Sequence, residues 1–212
     1  MEHHIVKDLE KALPITRSKT PSNLLIKPSI NRLLQHSFID WTIVIVCWGS
    51  MALINNWLYP LVALVIASRF HSFGVILHDL THMPLKNKTT KIRILEVLVG
   101  YPIATTLNAM RYHHLRHHKD SCMDTDPYFK TPTSNNSLAF LLNILKSSIL
   151  IPFWLIRCLY GSFAFYSPSL RQSYAQVFLQ DKSSKDLTKN KEVIQCAKED
   201  IFQLLFFILI FS

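Results

Sequence analysis

Glycine, cysteine and acidic residues are all scarce in this chain. Four glycines among 212 residues, with 49% hydrophobic residues and a positive mean hydropathy, argue against an ordinary soluble domain and for a membrane protein. Cys47, Cys122, Cys158 and Cys196 are dispersed with no Cys-x-x-Cys pair, so neither a disulfide framework nor a thiolate zinc site is suggested. Fourteen acidic residues stand against 23 Lys and Arg, for a formal charge of +9. The basic residues fall between apolar runs and build no continuous basic face, so nucleic acid is excluded as a partner. Loops on the cytosolic side of a membrane account for the charge better. An early apolar core and a small-residue cleavage site are both missing, so no secretory signal is expected.

What is present begins with residues 1–39, basic and broken by Pro14, Pro21 and Pro28, which read as a cytosolic tail leading into an interfacial helix. Residues 40–212 form the membrane domain. Trp41 to Leu58 carries no charge and is about 27 Å long as a helix, a first crossing. Asn55, Asn56 and Pro60 mark a turn on the outer side, and a second apolar run from Tyr59 to Leu77 completes a hairpin whose flanks are rich in Lys and Arg. Arg69 interrupts that run, so the second helix is expected to leave the bilayer there, with Arg69 snorkelling, and to continue as a cytosolic stalk. Only thirty residues separate His82 from His113, too few for two crossings, so Ile92 to Met110 should lie in the interface or enter and return, bending at Gly100-Tyr101-Pro102. Leu138 to Phe165 reads as an amphipathic or half-buried membrane-surface segment, with a shallow double crossing as the rival. Ile201 to Ser212 is apolar but only about 18 Å long, an incomplete third transmembrane helix. The fold class is thus an all-α membrane protein: a transmembrane hairpin with a stalk and interfacial helices.

The chemistry lies in two histidine clusters. His78 and His82 in HDLTH are spaced to share one helical face, about 40° apart. Within YHHLRHHKDSCMDTD, the imidazoles of His114, His117 and His118 fall at roughly 0°, 300° and 40° on a helix and point to one side. Several imidazoles on one face have no packing rationale and suit iron, zinc, copper or nickel. His36 and His71 read as interfacial side chains. His113, about 100° from His114, is either an ordinary polar residue or a partner that orients a ligand. Asp79, Asp124 and Asp126 are candidates to accept the second N–H of a ligand imidazole, the last two more than the first.

On HDLTH at 78–82 and Arg111-x-x-His114-x-x-His117-His118, the sequence resembles the membrane-bound fatty acid desaturase superfamily, which includes carotenoid hydroxylases and ketolases. The resemblance spans roughly residues 40–130. It implies a cytosol-facing di-iron centre that uses O2 to desaturate or oxygenate a lipid, an acyl chain or a carotenoid, with electrons from ferredoxin or cytochrome b5. His78, His82, His114, His117 and His118 are the ligands it implies. Members of the superfamily carry a third His-x-x-His-His box, whereas no histidine follows His118 here. The expectation is therefore a C-terminally truncated and inactive form. A zinc protease built on HDLTH and a non-catalytic remnant are the competing readings; the first would need Asp79 in place of a longer glutamate base and would leave the second cluster surplus.

Overall fold

The computed structural model describes residues 29–83, 88–121, 123–128 and 150–212, with the side chains of 150–154 excluded. The tail before Ser29, Cys122 and the first part of Leu138 to Phe165 lie outside these residues. Among the described residues every regular element is helical.

Helix α1 (Ile30–Ser50) and helix α2 (Tyr59–Thr81) reverse direction through a short loop and pack side by side. Pro60 starts α2, where its missing N–H costs nothing, and the Tyr59 hydroxyl donates to the Met51 carbonyl at 3.0 Å across the loop. α1 ends at Ser50, eight residues short of the expected Leu58, and begins well before Trp41, so the expected boundary between residues 39 and 40 falls inside it. Arg69 does not simply snorkel. Its guanidinium meets the buried Asp40 carboxylate at 3.1 Å, and the Ser72 hydroxyl donates to the other Asp40 oxygen at 2.6 Å. α2 therefore runs unbroken past Arg69 to Thr81. Among the described residues, Asn56–Thr81 is the one helical stretch long and apolar enough to cross a membrane.

The stretch between the histidine clusters folds as helix α3 (Thr90–Leu95), a wide turn at Glu96–Gly100 and a tight turn at Tyr101–Ile103. Ala104, in the left-handed region at φ 57°, ends it. At Gly100 an added Cβ would sit 2.9 Å from the Thr105 carbonyl, so this reversal needs glycine for close approach. Helix α4 (Leu107–Asp120) then starts under Thr106, whose hydroxyl accepts from the Ala109 N–H, while the Glu96 carboxylate accepts from the Leu107 N–H at 2.8 Å.

Helices α5 (Leu150–Tyr166), α6 (Pro168–Val177) and α7 (Lys191–Phe211) complete the described chain. α7 has 21 residues, so Ile201 to Ser212 is the end of a longer helix rather than a twelve-residue stump. α5 is bound to α7 by a fully buried ion pair, Arg157 to Asp200 at 3.1 Å, and Gly161 leaves room for Asp200 to approach. Two apolar cores result. One joins α1, α2, α3 and the start of α4 around Phe73, Leu77 and Leu95; the other joins α4 to α5, α6 and α7 around Tyr112, Tyr174 and Val193. α4 belongs to both, which sets its histidine face against the end of α2.

Candidate metal centre

His78 rides the last turn of α2 and His82 is its capping residue. α4 presents His114 to them. The ligand atoms of His78, His82 and His114 all lie within 4.8 Å of one another. His114 Nε2 is 3.1 Å from His82 Nε2 and 2.8 Å from His118 Nε2. The His78 and His114 rings are 4.3 Å apart between centres, and those of His82 and His118 are 5.2 Å apart.

Protons satisfy this arrangement poorly. A neutral imidazole offers one lone pair, and His114 Nε2 faces two other ring nitrogens with it. A metal ion satisfies it well: two nitrogens held at right angles about 2.0–2.1 Å from one ion are about 2.9 Å apart, close to both observed separations. His114 is buried and its pKa is lowered to about 4, first by burial and then by the neighbouring histidines. His82 is lowered as well, by burial and by His78 and His118. Both imidazoles are therefore neutral near pH 7 with lone pairs available. The His78 side chain is 45% exposed, so the cluster opens on one side.

His117 stands beside this group rather than in it. Its Nδ1 lies 2.8 Å from the buried Asp126 carboxylate and its ring 4.6 Å from Tyr128. Asp126 also accepts the Tyr128 N–H at 2.8 Å, and its carbonyl accepts from the Lys182 ammonium at 2.6 Å. With Nδ1–H given to Asp126, His117 keeps Nε2 as its donor atom, the arrangement in which a carboxylate orients a metal-binding imidazole. Asp126 is thus in hydrogen-bond contact with one of the five imidazoles, whereas Asp124 is exposed and makes no described hydrogen bond to any of them. Asp79 Oδ1 is 3.4 Å from His78 Nδ1, a long contact between half-exposed side chains. His113 is buried with its ring 5.6 Å from Tyr128, and burial, the Arg157 charge and His114 lower its pKa to about 4. His36 and His71 are exposed, away from the cluster.

A residue without an assigned role in the motif proves prominent: Arg111 reaches the end of α2, donating to the carbonyls of Thr81 and Met83. A contact to main-chain carbonyls thirty residues away leaves no local pattern to read.

The family model of the fatty acid desaturases matches residues 55–210, nearly three quarters of the chain. The chain belongs to the fatty acid desaturase family. Comparison with curated proteins and with solved structures finds no match. The desaturase match runs well beyond the resemblance at residues 40–130 and takes in α5, α6 and most of α7. Desaturases are membrane-bound, use two irons, and act on lipids with electrons from a donor. In this chain, His78, His82 and His114 are placed to hold a metal.

Proposed function

We propose that this chain is the histidine-box part of a lipid-modifying di-iron oxidoreductase that desaturates an acyl chain. The observation that carries the proposal is the meeting of the two boxes, His82 to His114 to His118 through ring nitrogens 3.1 and 2.8 Å apart. An all-imidazole donor set suits iron and leaves positions open. The iron, when bound, supplies the activation of O2 that attack on an unactivated C–H bond requires.

The residues of the chain do the rest. His78, His82, His114 and His118 would hold the metal, and His117 would join them through Nε2, its other nitrogen fixed by Asp126. Burial and mutual repulsion keep His114 and His82 neutral, so no proton need leave before metal binds. α1 and α2 form the membrane hairpin. Its outward apolar side chains, among them Ile45, Trp48, Leu61 and Leu64, face lipid, and the Arg69–Asp40 pair neutralises the charge that the hairpin carries. The positive-inside pattern supports a cytosolic N-terminus and cytosolic histidine boxes, and the family resemblance implies ferredoxin or cytochrome b5 as electron donor. The zinc-protease reading left the second box without a role; here that box shares its nitrogens with the first.

Iron analysis of the chain extracted from membranes, followed by mass spectrometry of acyl lipids and carotenoids after exposure to O2 and a reductant, tests the proposal. Five imidazoles fall short of the set that the resemblance implies for two irons, so these 212 residues alone should hold about one iron and release no product. Two irons and an acyl chain lighter by two hydrogens would show that the five suffice. An oxygenated carotenoid would move the protein to the hydroxylase branch, and zinc with peptide cleavage would overturn the proposal.

A further inference from the structure

α2 stops at Thr81, and the last carbonyls of a helix find no partner within it. Arg111, one turn before His114 on α4, supplies one. Its Nη1 donates both to the Thr81 carbonyl and, at 2.7 Å, to the Met83 carbonyl. These two carbonyls flank His82. The main chain on both sides of one candidate ligand is thus held by a side chain from the helix that bears the other. The guanidinium also meets the negative end of the α2 dipole.

Elsewhere the same device appears without any histidine. Arg171 donates to the Ala164 and Phe165 carbonyls at the end of α5, at 3.0 and 2.6 Å, and to the Thr188 carbonyl at 3.0 Å, binding a helix end to the loop before α7. At α2 the two parts joined are the two histidine boxes.

We propose that Arg111 is a positioning residue for the metal centre: by gripping the carbonyls on either side of His82 from α4, it sets the separation between His82 and His114. The inference rests on reading those two histidines as ligands. The planar guanidinium fixes the directions of the two N–H bonds, whereas a lysine would carry the charge on a rotating ammonium without those directions.

Titration of the detergent-solubilised 212-residue chain with Co2+, followed by its visible absorption and by helicity, tests this. Arg111→Lys and Arg111→Ala are expected to keep their helicity, to bind Co2+ at least about tenfold more weakly, and to shift the absorption band that reports ligand geometry. Propylguanidinium added to Arg111→Ala should restore the band, and propylammonium, with equal charge, should not. Unchanged affinity and spectrum in both variants would overturn the inference. Loss of helicity in both would assign Arg111 to folding and overturn it equally. If the wild-type chain binds no better than His114→Ala, the metal reading itself has failed; weakened binding in His114→Ala alone, with Arg111→Lys and Arg111→Ala like wild type, removes only the positioning role.

Discussion

At the scale of single residues, the four converging imidazoles and the one held by a carboxylate beside them call for different substitutions. Asp126→Asn keeps the shape of the side chain but weakens its hold on His117 Nδ1–H, and metal affinity should fall by about 10- to 100-fold with little change in stability; Co2+ or Fe2+ titration measures it. His113 gives a pH prediction. Its pKa is lowered from 6.5 to about 4 in the folded chain, so between those values the unfolded chain binds more protons. The stability His113 contributes is therefore present above about pH 6.5 and is lost as pH falls towards 4. Thermal midpoints of the metal-free chain should decline over that window, and His113→Phe should make the decline shallower. Much of this site was legible in the sequence, because residues three and four apart on a helix share a face. Spacing does not say which imidazole a buried carboxylate will orient. His117 lies about 60° to one side of His114 on the helix, and Asp126, eight residues beyond His118, takes it.

At the scale of elements, the helix pair was legible from two apolar runs, the second broken by Arg69, and a turn without Lys or Arg, but its ends and its polar lock were not. The charge-free run begins at Trp41, one residue after Asp40, and only the packing of α1 on α2 brings Asp40 to Arg69. Asp40→Ala should leave Arg69 unpaired between the two helices and destabilise the chain by roughly 1–3 kcal/mol, while Asp40→Leu with Arg69→Leu should recover most of the loss. Resistance to unfolding in detergent, compared across the three chains, is the measurement. At the bend, Gly100→Ala would drive a Cβ against the Thr105 carbonyl beside Leu77. A cost of about 1–3 kcal/mol is expected, with weaker metal binding because α4 must shift away from α2.

On the scale of the whole molecule, α4 links two cores, and buried charge keeps the second core in register with the first. Lys88 meets Glu96 at 3.0 Å and also meets Glu199, to which Asn108 donates at 2.8 Å, so the segment between the boxes, α4 and α7 share one polar cluster. Arg157 and Asp200, both fully buried, do the same for α5 and α7. Nothing in the sequence around Arg157 announces a partner in another helix. Arg157→Leu should abandon the Asp200 charge in the core at a cost of about 3–5 kcal/mol, seen as loss of the folded form in detergent. The proposed centre is one metal site that α2 and α4 make together. Co2+ titration of the wild-type chain beside His82→Ala and His114→Ala tests it most directly. One shared site predicts that either substitution abolishes tight binding; retention of half the wild-type stoichiometry at full affinity in each variant would contradict it.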